Sequence, residues 1–300
     1  MAVIGNPNTG KTTLFNVLTG LSQHTGNYPG VTVETALGEF REEGAKFLAV
    51  DLPGTYSLAP RAPDEMTAVT VLLGTGSGTT PPDIILCVVD ATNLDRNLYL
   101  LTQILDLGKP TVVALTMVDL LEKRGDSINT TSLSAKLGTP VIPVHPVKQL
   151  GLAKLRAVLR ETADNRNIPA RAVLPSTALQ EEAQRISALA SQSKEMAPLP
   201  QFLAERLIID ADGMIEGELV RDYGTTILDS AKAARARLGS DGIQQPQLEV
   251  ERRYRWIDQV TAQSIVRSPS RGTDGRQWAE ELDNIITHKF WGVLIFLAVM

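Results

Sequence analysis

The chain has 300 residues, of which 43% are hydrophobic, and a formal net charge of −5. Because this length exceeds what one compact core usually needs, we expect two soluble domains. Basic residues are scattered along the chain, which argues against a nucleic-acid partner. The single cysteine, Cys87, lies in an apolar run, which excludes disulfides and cysteine-ligated clusters and predicts a buried thiol in a reducing compartment.

The two ends of the chain differ in pattern. The first five residues enter an apolar strand with no basic segment before it, so no secretory signal is expected. Residues 290–300 form an uncharged apolar run, whereas a helix that spans a bilayer needs about 20 such residues. Two interpretations stay open: a transmembrane helix that begins here, with Lys289 and Trp291 at the interface, or a C-terminal helix packed on the domain.

Short β-branched runs alternate with helical stretches over residues 1–165, which is typical of a mostly parallel sheet covered by helices. The predicted strands cover residues 2–4, 33–40, 47–51, 84–90, 111–116 and 141–144. The predicted helices cover residues 11–19, 65–73, 95–107, 132–137 and 151–161. This pattern indicates an α/β domain over residues 1–166.

The strand pattern stops near residues 167–176, and the remaining sequence has helical periodicity. One helical face carries Val250, Tyr254, Ile257, Thr261 and Ile265. We therefore predict an all-α domain over residues 167–267. Residues 268–275 have the composition of a flexible linker, so a linker opens the last segment, 268–300.

A phosphate-binding sequence follows the first predicted strand. It reads Gly5-Asn6-Pro7-Asn8-Thr9-Gly10-Lys11-Thr12, and Thr13 continues into the first predicted helix. The glycines let backbone N–H groups turn around phosphates, Lys11 reaches the outer phosphates, and the Thr12 hydroxyl ligates Mg²⁺. A glycine-rich turn is the alternative, but the strand-loop-helix setting favours nucleotide binding.

Two further segments match the magnesium and γ-phosphate elements of such a site. Asp51-Leu52-Pro53-Gly54 closes the third predicted strand, where Asp51 would hold the Mg²⁺ shell and the Gly54 N–H would sense a γ-phosphate. Residues 26–34 have the turn-rich composition of a nucleotide-sensing loop, and Thr32 is placed to complete the metal shell. Thr55 stands where a glutamine is usual, which argues against a side chain there that orients the attacking water.

The expected base-recognition loop departs from the usual pattern. Thr116-Met117-Val118-Asp119 follows a predicted strand, where GTPases usually carry Asn-Lys-x-Asp or Asn-x-x-Asp. Asp119 can accept two hydrogen bonds from guanine, so a preference for guanine is retained. Because Thr116 lacks a carboxamide, some bonds to the base or the phosphate loop are expected to be weakened or lost. The second base-side turn is expected at His145, Pro146 and Val147. A histidine in such a place is more often a loop residue than a ligand.

Three longer strings extend the match beyond the phosphate loop. They are residues 26–34, residues 51–58, and residues 89–98 with the sequence Val-Asp-Ala-Thr-Asn-Leu-Asp-Arg-Asn-Leu. Together with Thr287-His288-Lys289-Phe290-Trp291-Gly292 they closely resemble the FeoB family of ferrous-iron transporters. The resemblance covers essentially the whole chain and is weakest at residues 170–245.

This resemblance implies a Ras-like P-loop GTPase domain, joined by a helical spacer to a membrane permease for Fe²⁺ in the same polypeptide. It implies the cytoplasmic face of the bacterial inner membrane, and it favours the start of a transmembrane helix at residues 290–300. The ligands implied are GTP or GDP, Mg²⁺ held by Thr12, Thr32 and Asp51, and K⁺ at Asn8 with K⁺-stimulated hydrolysis. The residues assigned to catalysis are Lys11, Asn8, Thr32 and Gly54.

Two other functions stay open on the sequence, as does self-association. A soluble RNA- or ribosome-associated GTPase would share the phosphate loop, but it would normally show a basic face. A nucleotide sensor with little turnover is suggested by Thr55, Thr116 and His145. A hydrolysis assay with and without a membrane partner separates these functions.

Overall fold

A computed structural model describes residues 1–20, 24–27, 34–75, 80–191, 199–239 and 245–266. Seven of its strands form one sheet: β1 (Ala2–Gly5), β2 (His24–Asn27), β3 (Glu34–Glu42), β4 (Ala45–Asp51), β5 (Ile85–Asp90), β6 (Thr111–Thr116) and β8 (Val141–Pro143). Their spatial order is β2-β3-β4-β1-β5-β6-β8. Strands β4, β1, β5, β6 and β8 are parallel, and β2 and β3 add an antiparallel edge. The predicted, mostly parallel sheet is confirmed.

Helices cover both faces of this sheet. Within the described ranges they are α1 (Lys11–Thr19), α2 (Pro63–Leu73), α3 (Leu94–Leu105), α4 (Val118–Lys123), α5 (Thr130–Leu137) and α6 (Leu152–Asn165). Alternate strand residues point to opposite faces, so Ile4 and Cys87 join one core while Val3 and Val88 join the other. Cys87 is a buried free thiol, as predicted.

The later part of the chain is mainly helical. It contains α7 (Thr177–Ala190), α8 (Gln201–Ile209), α9 (Met214–Tyr223), α10 (Thr225–Gly239) and α11 (Gln245–Ser264). Helix α11 packs against α3 and α5, and the rings of Tyr254 and Tyr99 stack with centroids 5.4 Å apart. The boundary drawn between residues 166 and 167 stays a prediction.

The expectation that strands end near residues 167–176 is wrong. Strand β9 (Ile265–Val266) pairs antiparallel with β7 (Ser127–Ile128). Ile265 therefore lies outside α11, and the predicted helical face is incomplete. Ile257 is fully buried, whereas Tyr254 stacks on Tyr99 of α3 and is still 39% exposed.

The other predicted elements of residues 1–166 agree with the structure to within a few residues. No prediction was made for β2, α4 and β7, because each is too short to establish a period. Among the described residues, no helix is long and apolar enough to cross a bilayer. The predictions for Thr32, for residues 268–275 and for residues 290–300 lie outside those residues.

Candidate nucleotide-binding site

The carboxyl ends of the parallel strands bring the predicted loops to one edge of the sheet. β1 pairs with β4 so that Val3 lies opposite Asp51, and β5 pairs with β6 so that Asp90 lies opposite Thr116. In open α/β sheets ligands bind at this edge. The topology therefore assembles segments that are far apart in the sequence.

The phosphate loop begins where β1 meets β5. A Cβ atom on Gly5 would lie 2.4 Å from the Val88 carbonyl oxygen, so only glycine fits there. Asn8 and Gly10 adopt left-handed conformations, with φ of 66° and 80°, and these turn the loop into the start of α1. The Thr9 hydroxyl donates to the Asn6 carbonyl at 2.9 Å. The N-terminus of α1 thereby faces the loop, as anion binding requires.

Lys11, Thr12 and Asp51 meet at the mouth of this loop. The Lys11 ammonium forms an ion pair with Asp51 Oδ1, and the Thr12 hydroxyl donates to Asp51 Oδ2 at 3.1 Å. The hydroxyl and carboxylate oxygens are therefore adjacent, and hard oxygen donors are what Mg²⁺ prefers. This donor set fits the predicted magnesium site, for which the third expected ligand, Thr32, lies outside the described residues.

The segment after Asp51 lies directly against the phosphate loop. A Cβ atom on Gly54 would lie 3.2 Å from the Pro7 nitrogen, and the Thr55 N–H donates to the Gly5 carbonyl at 3.3 Å. The Thr55 side chain is fully buried, and its hydroxyl donates to the Ser57 carbonyl at 2.8 Å. Thr55 thus braces its own turn, in keeping with the expectation that this side chain does not orient water.

Thr116 connects the base-side loop to the phosphate loop. Its buried hydroxyl lies 2.8 Å from the Thr9 carbonyl oxygen and 3.2 Å from that of Val89. A hydroxyl carries one proton, so it donates to one of these oxygens or is shared between them. Hydrogen bonds at this position were expected to be weakened or lost, but the structure retains one to the phosphate loop.

Asp119 lies in the first turn of α4, after a left-handed residue, Met117, with φ of 58°. Asp119 Oδ2 is 3.6 Å from His145 Nε2 in the second base-side turn. Both side chains are partly exposed, so the carboxylate is accessible to a base. The Val147 side chain in the same turn is 76% exposed. The structure therefore brings together the two base-side elements that the sequence predicted.

Sequence reasoning gave no role to Arg96, although it lies in one of the quoted strings. Its guanidinium stacks over the Tyr56 ring at 3.9 Å from the centroid. Its carbonyl accepts a bond from Asn6 Nδ2 at 3.3 Å. The first turn of α3 therefore contacts both the phosphate loop and the segment after Gly54. Both residues lie in strings that carry the family resemblance, Tyr56 in residues 51–58 and Arg96 in residues 89–98. That was the signal in the sequence that could have indicated a role for Arg96.

A sequence profile described as "Ferrous iron transport protein B" matches residues 1–159. The chain belongs to the FeoB family. The Fe(2+) transporter FeoB of Escherichia coli strain K12 is 37% identical over 309 aligned residues, which cover 100% of this chain and 37% of that protein. The chain thus spans a little over a third of the length of this relative.

Solved FeoB structures match the fold as well. The cytosolic domain of L. pneumophila FeoB has a TM-score of 0.72 and 32% identity, over 89% of this chain and 99% of that one. NFeoB from S. thermophilus, solved with GDP·AlF₄⁻ and K⁺, has a TM-score of 0.69 and 33% identity. The match covers 86% of this chain and 97% of that one. The α/β P-loop fold with a helical part is therefore shared with FeoB cytosolic domains.

Proposed function

We propose that this chain binds and hydrolyses GTP and that this activity serves Fe²⁺ uptake through a membrane permease in the same polypeptide. The observation that carries the proposal is the hydrogen bond between Thr116 and the Thr9 carbonyl, 2.8 Å long. It joins the strand that leads to Asp119 to the loop that would hold the phosphates. A guanine and a polyphosphate can therefore be held together at one sheet edge.

At the phosphate end of the site, Lys11 would exchange its ion-pair partner when a nucleotide binds. Lys11 is paired with Asp51 in the structure, and phosphate oxygens would compete for the same ammonium. Lys11 would then turn to the outer phosphates. The residues that would hold Mg²⁺ are Asp51, Thr12 and Thr32. The magnesium ion, when bound, neutralises charge on the phosphates. The loop from Gly5 to Gly10 contributes backbone N–H groups.

The base end of the site rests on Asp119. Its carboxylate accepts from the N1–H and the exocyclic amine of guanine, whereas adenine would present a lone pair at N1. Leaving such a carboxylate unpaired is costly, so adenine nucleotides are rejected. Met117 sets the turn that presents Asp119, and the turn of His145, Pro146 and Val147 closes the other side of the base.

Hydrolysis would depend on backbone groups and cations more than on a side-chain base. Gly54 offers its N–H to the γ-phosphate, and Asn8, which is exposed in the loop, offers an amide oxygen to K⁺. Potassium there supplies positive charge where charge develops in the transition state. NFeoB from S. thermophilus was solved with K⁺ and GDP·AlF₄⁻ bound, which supports the use of K⁺ by this chain; Asn8 as its ligand is our assignment.

We propose that Fe²⁺ transport is carried out by a part of the polypeptide outside these 300 residues. The E. coli relative is named a Fe(2+) transporter, and this chain aligns with 37% of its length. We assign the described residues to the cytoplasmic face of the bacterial inner membrane, with the permease in the remainder of the polypeptide. The match to the L. pneumophila cytosolic domain supports that placement.

The test is GTP turnover by the full chain, measured in matched K⁺ and Na⁺ buffers. We expect hydrolysis in K⁺ that exceeds hydrolysis in Na⁺, and we expect Asn8→Ala to abolish the difference while GTP still binds. Lys11→Ala should abolish triphosphate binding, because the phosphates lose their principal cation. Equal turnover in both buffers would refute the potassium site, and unchanged GTP affinity in Lys11→Ala would refute the phosphate loop.

A second candidate, a nucleotide sensor with little turnover, is favoured by Thr55. Its hydroxyl is buried within its own turn and does not face the site. The GTPase and the nucleotide sensor differ in the result expected from the hydrolysis assay. Tight GTP binding with no hydrolysis in K⁺, with or without the membrane portion of the polypeptide, would favour the sensor.

A further inference from the structure

His145 and Asp119 form a pair at the base end of the site. His145 Nε2 lies 3.6 Å from Asp119 Oδ2, and both side chains keep partial exposure. That distance is too long for a hydrogen bond but is within reach of an ion pair if the imidazole is protonated. The pair therefore has two states, which differ in the charge beside the carboxylate that would read guanine.

The loop fixes which imidazole nitrogen faces the carboxylate. The Lys148 backbone N–H donates to His145 Nδ1 at 3.2 Å, so in the neutral ring the proton is on Nε2. His145 and Leu150 exchange backbone hydrogen bonds of 3.0 and 3.2 Å. This bridge holds the ring at a fixed place beside Asp119.

We propose that His145 is a positioning residue for Asp119, and that its protonation weakens guanine-nucleotide binding. The inference rests on the proposed function, because Asp119 must read guanine for His145 to affect it. Nε2–H faces the carboxylate in both states, but the neutral ring carries no charge and competes only weakly with guanine for the lone pairs. The imidazolium draws the carboxylate into an ion pair and competes with the base.

Protonation of His145 lowers the affinity for guanine nucleotides through three effects. The Nε2–H of a charged ring attracts Oδ2 more strongly than that of a neutral ring, so it competes better with the guanine donors for the carboxylate lone pairs. It also reduces the negative potential that makes the hydrogen bonds of Asp119 charge-assisted. Finally, a bound base would exclude water from the imidazolium, and desolvation disfavours its charged form. Guanine and the proton therefore compete, and each lowers the affinity for the other.

The charged groups that face the ring come from α4 and from the loop itself. Histidine is the side chain whose ordinary titration falls between about pH 5 and 8. Among the described residues, the acidic group within ion-pair distance of the ring is Asp119 of α4. The loop itself contributes Lys148, whose backbone binds Nδ1. Because the pair is partly exposed and therefore screened, we expect a change of about three- to tenfold in affinity.

Two variants separate the functions of the two ring nitrogens. His145→Asn places an amide oxygen where Nδ1 accepts from Lys148, and it removes the group that faces Asp119. His145→Gln places an amide N–H donor near the position of Nε2 without a titratable proton. The affinity for fluorescent GDP and for a non-hydrolysable GTP analogue is measured with each protein, from about pH 8 to about pH 5.5.

The expected result is a loss of affinity on acidification that is larger, by about three- to tenfold, in the parent chain than in either variant. Protonation of the nucleotide phosphates affects all three proteins equally, so it cancels in the ratio. Identical pH profiles, or an affinity that rises with acid in the parent chain alone, would overturn the inference. Failure of all three proteins to bind guanine nucleotides at about pH 8 would instead refute the proposed function.

Discussion

Arg253 donates from Nη2 to Asp106 Oδ2 at 2.6 Å, which fixes α11 to the C-terminal end of α3. The Asp106 side chain is fully buried and also accepts from Arg171 Nε at 3.2 Å. Arg253 in turn donates to Glu249 at 2.9 Å, and Glu249 pairs with Arg206 of α8. A chain of ion pairs with alternating charge thus connects the end of α3 to α11 and α11 to α8. The helical part is tied to the nucleotide-binding part through Asp106.

Removal of the Asp106 carboxylate tests this connection. Asp106→Ala removes one buried acceptor from each of two arginines, which keep Glu205 and Glu249 as partners. We therefore expect the free energy of unfolding to fall by about 1.5–3 kcal/mol. Denaturant unfolding of the parent chain and the variant measures the difference. The control is Arg185→Ala, because its ion pair with Glu182 is exposed on the arginine side and its loss should cost about 1 kcal/mol or less. Equal losses in the two variants would contradict the connection.

Glu249 makes stability depend on acid. Burial by itself would raise the pKa of Glu249, but Arg206 and Arg253 outweigh burial, so the pKa lies below the usual glutamate value of 4.5. A lowered carboxyl pKa stabilises the fold above that value, and the contribution is lost as pH falls through the folded-state pKa. Glu249→Gln should therefore unfold more easily than the parent chain at neutral pH, and the difference should shrink below pH 4.5.

The measurement for Glu249 is urea unfolding at a series of pH values. Glu218→Gln is the matched control, since Glu218 forms an exposed pair with Arg221. That variant should lie within about 1 kcal/mol of the parent chain at every pH. A Glu249→Gln difference that stays constant through the acid range would contradict the assignment.

The Cys87 thiol should be inert in the folded chain. Burial raises its pKa to about 12, and the thiolate is the reactive form. We expect iodoacetamide to label the native protein negligibly near neutral pH and to label it rapidly once denaturant unfolds the sheet. Rapid labelling of the native protein would show that β5 opens locally without global unfolding.

Thr116→Val should weaken GTP binding. The change keeps the shape of the side chain but removes the hydroxyl that donates to the Thr9 carbonyl at 2.8 Å. One neutral hydrogen bond is worth about 0.5–1.5 kcal/mol, so affinity should fall by about two- to tenfold. Titration with GTP, GDP and ATP analogues measures it. A variant with unchanged affinity would show that this bond does not position the phosphate loop.

Thr116→Asn tests the same position in the opposite direction. A carboxamide restores the usual donor and acceptor pair, so guanine-nucleotide binding should tighten by about tenfold or less. Asp119→Ala is its counterpart and should remove the preference for GTP over ATP, because the guanine donors lose their charged acceptor. A hundredfold gain in Thr116→Asn, or continued rejection of ATP by Asp119→Ala, would mean that other residues read the base.

The sequence by itself determined the order and type of most elements and the loops that carry phosphate and magnesium chemistry. Those features are local, because a strand alternates with period two and a loop such as residues 5–12 needs glycine at fixed spacing. Only the tertiary structure decided that Thr116 bonds to Thr9, that His145 faces Asp119 and that Asp106 holds Arg253. Such contacts join residues that are far apart in the chain, and no local period encodes them. Packing selects the contacts of Thr116 and Asp106, since a buried polar group needs a partner wherever the fold provides one. The sheet edge brings the partly exposed pair of His145 and Asp119 together.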